Sequence, residues 1–89
     1  MSEPAASLLE FPCDFPIKAL GLSQEGLEQQ VVAIVRRHAP DLDGGAVASR
    51  RSGGGKYIAV TVTVRAQSQS QLDAIYQDLT ACPEIAMVL

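Results

Sequence analysis

Along this chain the spacing of hydrophobic residues switches between a period of two and a helical period, and each switch marks an element. The clearest run follows Gly53-Gly54-Gly55, where Ile58, Val60, Val62 and Val64 alternate with Tyr57, Ala59, Thr61, Thr63 and Arg65. Strict alternation of this kind predicts a half-buried strand leaving a glycine turn. Phe15, Ile17 and Ala19, set against Pro16, Lys18 and Leu20 up to Gly21, predict a first strand with prolines confined to its start and Lys18 facing away from the core. A weaker strand is predicted from Ala46 to Ser52, where Ser and Arg interrupt the apolar face, and the closing IAMVL predicts a short last one.

Two helices separate these strands. Leu27, Val31, Ile34, Val35 and His38 stand at helical spacing behind Ser23, a candidate N-cap, with Glu25 and Glu28 early and Arg36 and Arg37 late. Acid first and base last suits the helix dipole, and Pro40 stops the helix before a loop from Asp41 to Gly45. Ser68-Gln-Ser-Gln71 is a capping-box pattern opening the second helix, whose stripe is Leu72, Ile75, Tyr76 and Leu79, and Pro83 ends that segment.

The resulting order, βαββαβ, predicts an α+β fold of the ferredoxin-like kind, with a four-stranded antiparallel sheet and both helices on one face. Right-handed crossovers put the first and third strands in the centre, leaving the second and last as edges. Cys13 and Cys82 each precede antiparallel neighbours, so they belong at opposite ends of the sheet, about 20 Å apart. A disulfide needs Cα atoms within about 7 Å, so free thiols are expected. Residues 1–10 lack a usable period and are expected to be a flexible arm ahead of a single domain over 11–89.

With 89 residues, 47% of them apolar and 19% charged, the chain has room for one small core and lies in the globular class. A formal charge of −3 argues against nucleic-acid binding by phosphate neutralisation. The charge is segregated, however. Arg50, Arg51, Lys56 and Arg65 cluster around the glycine turn, while Glu25, Glu28, Asp73 and Asp78 fall in the helical segments. No signal peptide or membrane span is legible, so the expectation is a cytoplasmic protein that makes no membrane contact. Two cysteines without a CxxC, and one histidine, predict no zinc site and no cofactor.

Several stretches together resemble the bacterial YbeD family: FPCDFPIKALG, VVAIVRRHAPD, RSGGGKYIAVTVTVRA, QLDAIYQDL and the terminal MVL. The resemblance covers Leu9 to Leu89. Its more specific parts are F-P-x-x-F-x-x-K-x-x-G, carried here by Phe11, Pro12, Phe15, Lys18 and Gly21, and H-A-P at His38 to Pro40. The family comprises small single-domain proteins of unknown function. The resemblance implies a fold similar to the ACT domain, a βαββαβ module that binds amino acids and regulates metabolic enzymes. The family's turn is more often S-S-K-G-N-Y, whereas this chain has Ser52-Gly53-Gly54-Gly55-Lys56-Tyr57. The displaced lysine argues against chemistry tied to its position.

Two candidate sites follow. The open sheet face, carrying Lys18, Tyr57, Thr61, Thr63 and Arg65, is expected to bind a ligand or a protein partner. The turn of Gly53, Gly54 and Gly55 with Arg50, Arg51 and Lys56 could turn backbone N–H groups toward an anion, although a plain hairpin turn accounts for it more simply. His38 is read as capping its helix, with no acid or nucleophile at a spacing that activates it. Aromatics are 4% of the chain and only Tyr57 belongs on the open strand face, so a base-stacking platform is missing and RNA is an unlikely partner. The leading expectation is a non-enzymatic regulatory or adaptor domain acting through its open sheet face or edge strands, on a second copy or another protein. The alternative is an ACT-like sensor of a small anionic metabolite or amino acid.

Overall fold

The computed structural model describes residues 10–89; the expected arm lies outside the described residues except for Glu10. The elements are β1 (Cys13–Leu22), α1 (Leu27–Arg36), β2 (Val47–Ser52), β3 (Tyr57–Ala66), α2 (Gln69–Thr80) and β4 (Ile85–Val88). Every strand pairing is antiparallel and the order across the sheet is β2-β3-β1-β4, the arrangement expected from the sequence.

One face of the sheet is sealed. Ile17 and Ala19 of β1 and Val60, Val62 and Val64 of β3 are buried against Leu27, Val31 and Val35 of α1 and Leu72, Ile75 and Leu79 of α2. Both helices therefore share a single apolar layer with the inward half of each central strand. No polar or charged residue is buried among the described residues, so this core rests on apolar packing.

The helix starts differ in origin. Ser68 caps α2 as expected, its hydroxyl accepting from the Gln71 N–H at 3.1 Å. The return half of the capping box is displaced, because the Gln71 carboxamide oxygen accepts from Gln67 N–H at 2.6 Å and its nitrogen donates to the His38 carbonyl at 2.8 Å. Gln71 thus ties the start of α2 to the chain leaving α1. Ser23 does not cap α1. Its N–H donates to the Lys56 carbonyl at 2.8 Å, and the helix begins after Gly26, whose φ of 90° turns the chain without any side-chain cap. Glu25 consequently falls outside the helix and Glu28 is the acid in its first turn.

Pro16 lies inside β1 rather than at its start. Lys18 exchanges both backbone hydrogen bonds with Leu89, at 3.2 and 2.8 Å, so alternate residues of β1 point their backbone groups toward β4. That pairing ends at Lys18. The missing N–H of Pro16 therefore faces a length of β1 with no strand beside it among the described residues, which makes the proline tolerable in a central strand. The second strand starts one residue later than expected because Ala46 belongs to a 3₁₀ turn, Gly44–Ala46, capped by the Asp43 carboxylate.

Candidate functional site

The face of the sheet turned away from the helices can be assembled from the register, because residues directly opposite one another share a face. Thr61 lies between Ala48 and Lys18; Ala59 lies between Arg50 and Leu20, with Met87 next to Leu20; Tyr57 lies between Ser52 and Leu22. Toward the other end Thr63 opposes Pro16 and Arg65 opposes Asp14. All five residues expected on this face, Lys18, Tyr57, Thr61, Thr63 and Arg65, are there.

The face carries more apolar surface than those five residues suggest. Among the described residues the exposed large hydrophobics are Leu22, Tyr57, Met87 and Leu89, at 54%, 37%, 52% and 61% exposure, and all four belong to this side of the sheet. Beside them is an open trough of about 370 Å³, lined by Lys18 and Arg50 with Ala48, Ala59 and Thr61 between them. Arg65 Nη1 lies 3.4 Å from Asp14 Oδ1, both side chains well exposed, so this pair neutralises charge at one end and adds little stability.

The glycine turn is organised as a tight left-handed turn, with φ of 59°, 70° and 90° at Gly53, Gly54 and Gly55. Two of its N–H groups are committed within the turn. Gly55 donates to the Ser52 carbonyl at 3.1 Å and Lys56 to the Gly53 carbonyl at 3.3 Å, which withdraws two of the donors an anion would need. The register also separates the expected cations: Arg50 opposes Ala59 on the open face, whereas Arg51 opposes Ile58 on the helix side. Lys56 Nζ stands 5.8 Å from the centre of the Tyr57 ring. Arg50, Arg51 and Lys56 are thus not gathered around Gly53, Gly54 and Gly55, because successive strand residues point to opposite faces.

On the helix side His38 corrects the sequence reading. Its Nε2 lies 2.7 Å from Asp78 Oδ2 of α2, with Arg37 Nη1 3.9 Å from the same oxygen. Helix packing supplies the acid that sequence spacing did not, and the histidine braces α1 against α2 instead of capping its own helix. Cys82 donates its thiol to Glu84 Oε1 at 3.3 Å, and Ser49 bonds to Glu28 across the β2–α1 junction. Neither nucleophile is paired with His38. Among the described residues no group of three His, Cys, Asp or Glu side chains is placed to hold a metal ion, and no helix is long and apolar enough to cross a membrane.

Sequence reasoning missed Leu20, Leu22, Met87 and Leu89 as site residues, and it assigned Arg50 to the turn. The signal for two of them was available. The alternation that turns Lys18 outward also turns Leu20 and Leu22 outward, and aliphatic side chains at outward positions mark a face that meets something apolar. Met87 and Leu89 had no such signal, because four or five residues are too few to fix the phase of an edge strand.

A four-stranded antiparallel sheet with two helices on one side and an open, apolar and basic face on the other defines a ferredoxin-like domain of the ACT-like kind. Known structures agree. The solution structure of HP0495 from H. pylori superposes with a TM-score of 0.70 over 100% of this chain and 97% of that one, at 12% identity. The ACT domain from the GTP pyrophosphokinase of Chlorobium tepidum superposes with a TM-score of 0.65 over 85% of this chain and 84% of that one, at 13% identity. Residues 6–89 match the family described as Protein of unknown function (DUF493), and the chain belongs to that family, of which the YbeD proteins are members. Among its relatives, the UPF0250 protein NE1487 of Nitrosomonas europaea is 47% identical over 93% of this chain and 95% of its own length. The UPF0250 protein of Paraburkholderia phytofirmans is 47% identical over 100% of both.

Proposed function

We propose that this protein is a non-enzymatic regulatory or adaptor domain that works through protein contacts on its open sheet face. The observation that carries the reading is the gathering of Leu22, Tyr57, Met87 and Leu89 on that one face, while the opposite face is closed by helices. Fully burying an exposed side chain of this size is worth about 1.5–3 kcal/mol, and these are already partly covered, so roughly 1 kcal/mol each is available to a partner. Scattered single hydrophobics need no explanation, but a contiguous group does. The likeness to the ACT domain from a GTP pyrophosphokinase favours a regulatory module. A second copy paired along β2 or β4, the outer strands, is the other protein contact this reading admits.

The alternative, an ACT-like sensor of a small anionic metabolite or amino acid, draws its support from the trough between Lys18 and Arg50. Its volume is at the lower end for small-molecule sites, and it lies open on the sheet rather than enclosed.

The test is partner capture from a bacterial extract with the parent chain, with Leu22→Ser/Met87→Ser, and with Gln29→Ser on the outer side of α1 as control. Partners retained by the parent and the control but lost by the double variant support the reading. The same partners on all three would overturn it.

A further inference from the structure

The chemistry of the open face also specifies its occupant, and we infer that this is an acidic, amphipathic protein segment, with one carboxylate side chain between Lys18 and Arg50 and apolar side chains laid across Leu22, Met87 and Tyr57. The inference rests on the docking-face reading above and adds the partner's charge and polarity.

The trough is built for an anionic group. Lys18 on β1 and Arg50 on β2 lie two strands and one pair step apart, which sets their Cα atoms roughly 12 Å from one another, a gap that two long cationic side chains close from either side. Ala48, Ala59 and Thr61 between them leave the floor without bulk. Among the described residues neither cation lies within ion-pair distance of a carboxylate. The only acid that the strand register puts on this face is Asp14, which is occupied with Arg65, and Asp41 and Asp43 of the loop border the face only at that same Thr63–Arg65 end. The trough end of the face is therefore positive on a chain whose formal charge is −3.

Charge complementarity separates the candidate occupants. A second copy laid face to face and centred on the trough would set Lys18 and Arg50 against their own counterparts, with Asp14, Asp41 and Asp43 away at the Thr63–Arg65 end, a repulsive arrangement. A small anion would fill the trough and leave Leu22, Met87 and Tyr57 in water. RNA would find one aromatic ring, already lying beside Lys56. An acidic segment with apolar neighbours satisfies both halves of the face at once.

The experiment pans a displayed random-peptide library against the full chain, scores the charge of the enriched peptides, and maps each by amide shifts on the labelled protein. Enrichment of Asp or Glu beside Leu, Ile or Phe is expected, with shifts at Lys18, Arg50, Ala59 and Leu22. Lys18→Glu/Arg50→Glu should weaken those peptides at least tenfold and should itself enrich Lys- and Arg-bearing peptides. Lys18→Gln/Arg50→Gln provides the gentler variant, with the amide spectrum confirming the fold of each. Peptides that dock on the face without charge preference overturn this inference and leave the docking-face reading in place. Peptides that dock only elsewhere, or an absence of enrichment, overturn both. An RNA oligonucleotide, a free dicarboxylate or a face-to-face dimer that occupies the same amides while the acidic peptides do not also overturns it.

Discussion

Gly21→Ala probes the tightest approach at any glycine among the described residues, where β1 passes beneath the chain entering β4. A Cβ at this position would stand 2.5 Å from the Glu84 carbonyl oxygen and 3.0 Å from Leu27 Cδ2. A carbon and an oxygen in contact normally keep about 3.3–3.6 Å, so one of the two backbones must move by roughly 1 Å. Leu27 is itself fully buried in the core, and the carbonyl precedes Ile85, which pairs with Gly21 and is also buried, so neither neighbour yields freely. Gly21 is outside the left-handed region, so the effect is steric alone. Overpacking of this kind costs about 1–3 kcal/mol. Alanine returns about 0.4–1 kcal/mol by restricting the unfolded chain, which leaves a net loss centred near about 1 kcal/mol. With a urea m-value of about 1 kcal/mol per molar for a small domain, the unfolding midpoint should fall by roughly 1 M. Amide exchange at Lys18 and Leu89, the last backbone pair of β4 with β1, should quicken beyond the global change. Gly54→Ala is the contrast: φ there is 70° and nothing lies within 4 Å, so it should lose about 1–2 kcal/mol to left-handed strain and leave β4 unaffected. A Gly21→Ala midpoint at or above that of the parent would refute the close-approach argument.

Two further outcomes follow from burial. Val62 is fully buried and Thr61 beside it faces the open side, so Val62→Ala should cost about 2–3 kcal/mol and Thr61→Ala less than about 0.5 kcal/mol in urea unfolding. Equal losses at both positions would contradict the division of β3 into two faces. Burial raises the pKa of Tyr76, whose hydroxyl donates to the Leu89 carbonyl at 3.2 Å. The unfolded chain then ionises first, so the contribution of this phenol is complete below pH of about 10 and is lost as the pH climbs above it. Phenolate absorbance should show one tyrosine titrating late, and Tyr76→Phe should remove that step along with its share of the alkaline loss of stability.

The fold was legible because its signals were periodic and mutually consistent. Val60, Val62 and Val64 fixed the phase of β3, the Leu72, Ile75 and Leu79 stripe fixed α2, and the order of elements then left few topologies to choose from. What was not legible depended on tertiary geometry. Ser23 has the chemistry of a cap, but its N–H is drawn into the sheet by Lys56, and Gly26 turns the chain in its place. His38 finds its acid on another helix, at a separation no local spacing reveals. Adjacent arginines read as one basic cluster in sequence, yet a strand sends Arg50 to the open face and Arg51 to the helix side. The candidate site was therefore half visible: its polar members and Tyr57 were, its aliphatic members were not.

The same separation of charge gives the open face its direction. On the helix side three acids have partners within the fold: Glu28 with Ser49, Asp73 with Gln69, and Asp78 with His38 and Arg37. Among the described residues Lys18 and Arg50 have no carboxylate within ion-pair distance, so these two cations remain available. At physiological salt the Debye length is about 8 Å, so carboxylates beyond the sheet are largely screened from its opposite surface, and an approaching segment meets the local positive field rather than the negative net charge. Such a field acts mainly on encounter and orientation, while the retention of a docked segment falls to the apolar contacts at Leu22, Met87 and Tyr57. Neutralising Lys18 and Arg50 should accordingly slow association and flatten its salt dependence, whereas removing the apolar side chains should speed dissociation. That division of labour explains why one small face carries both kinds of residue side by side.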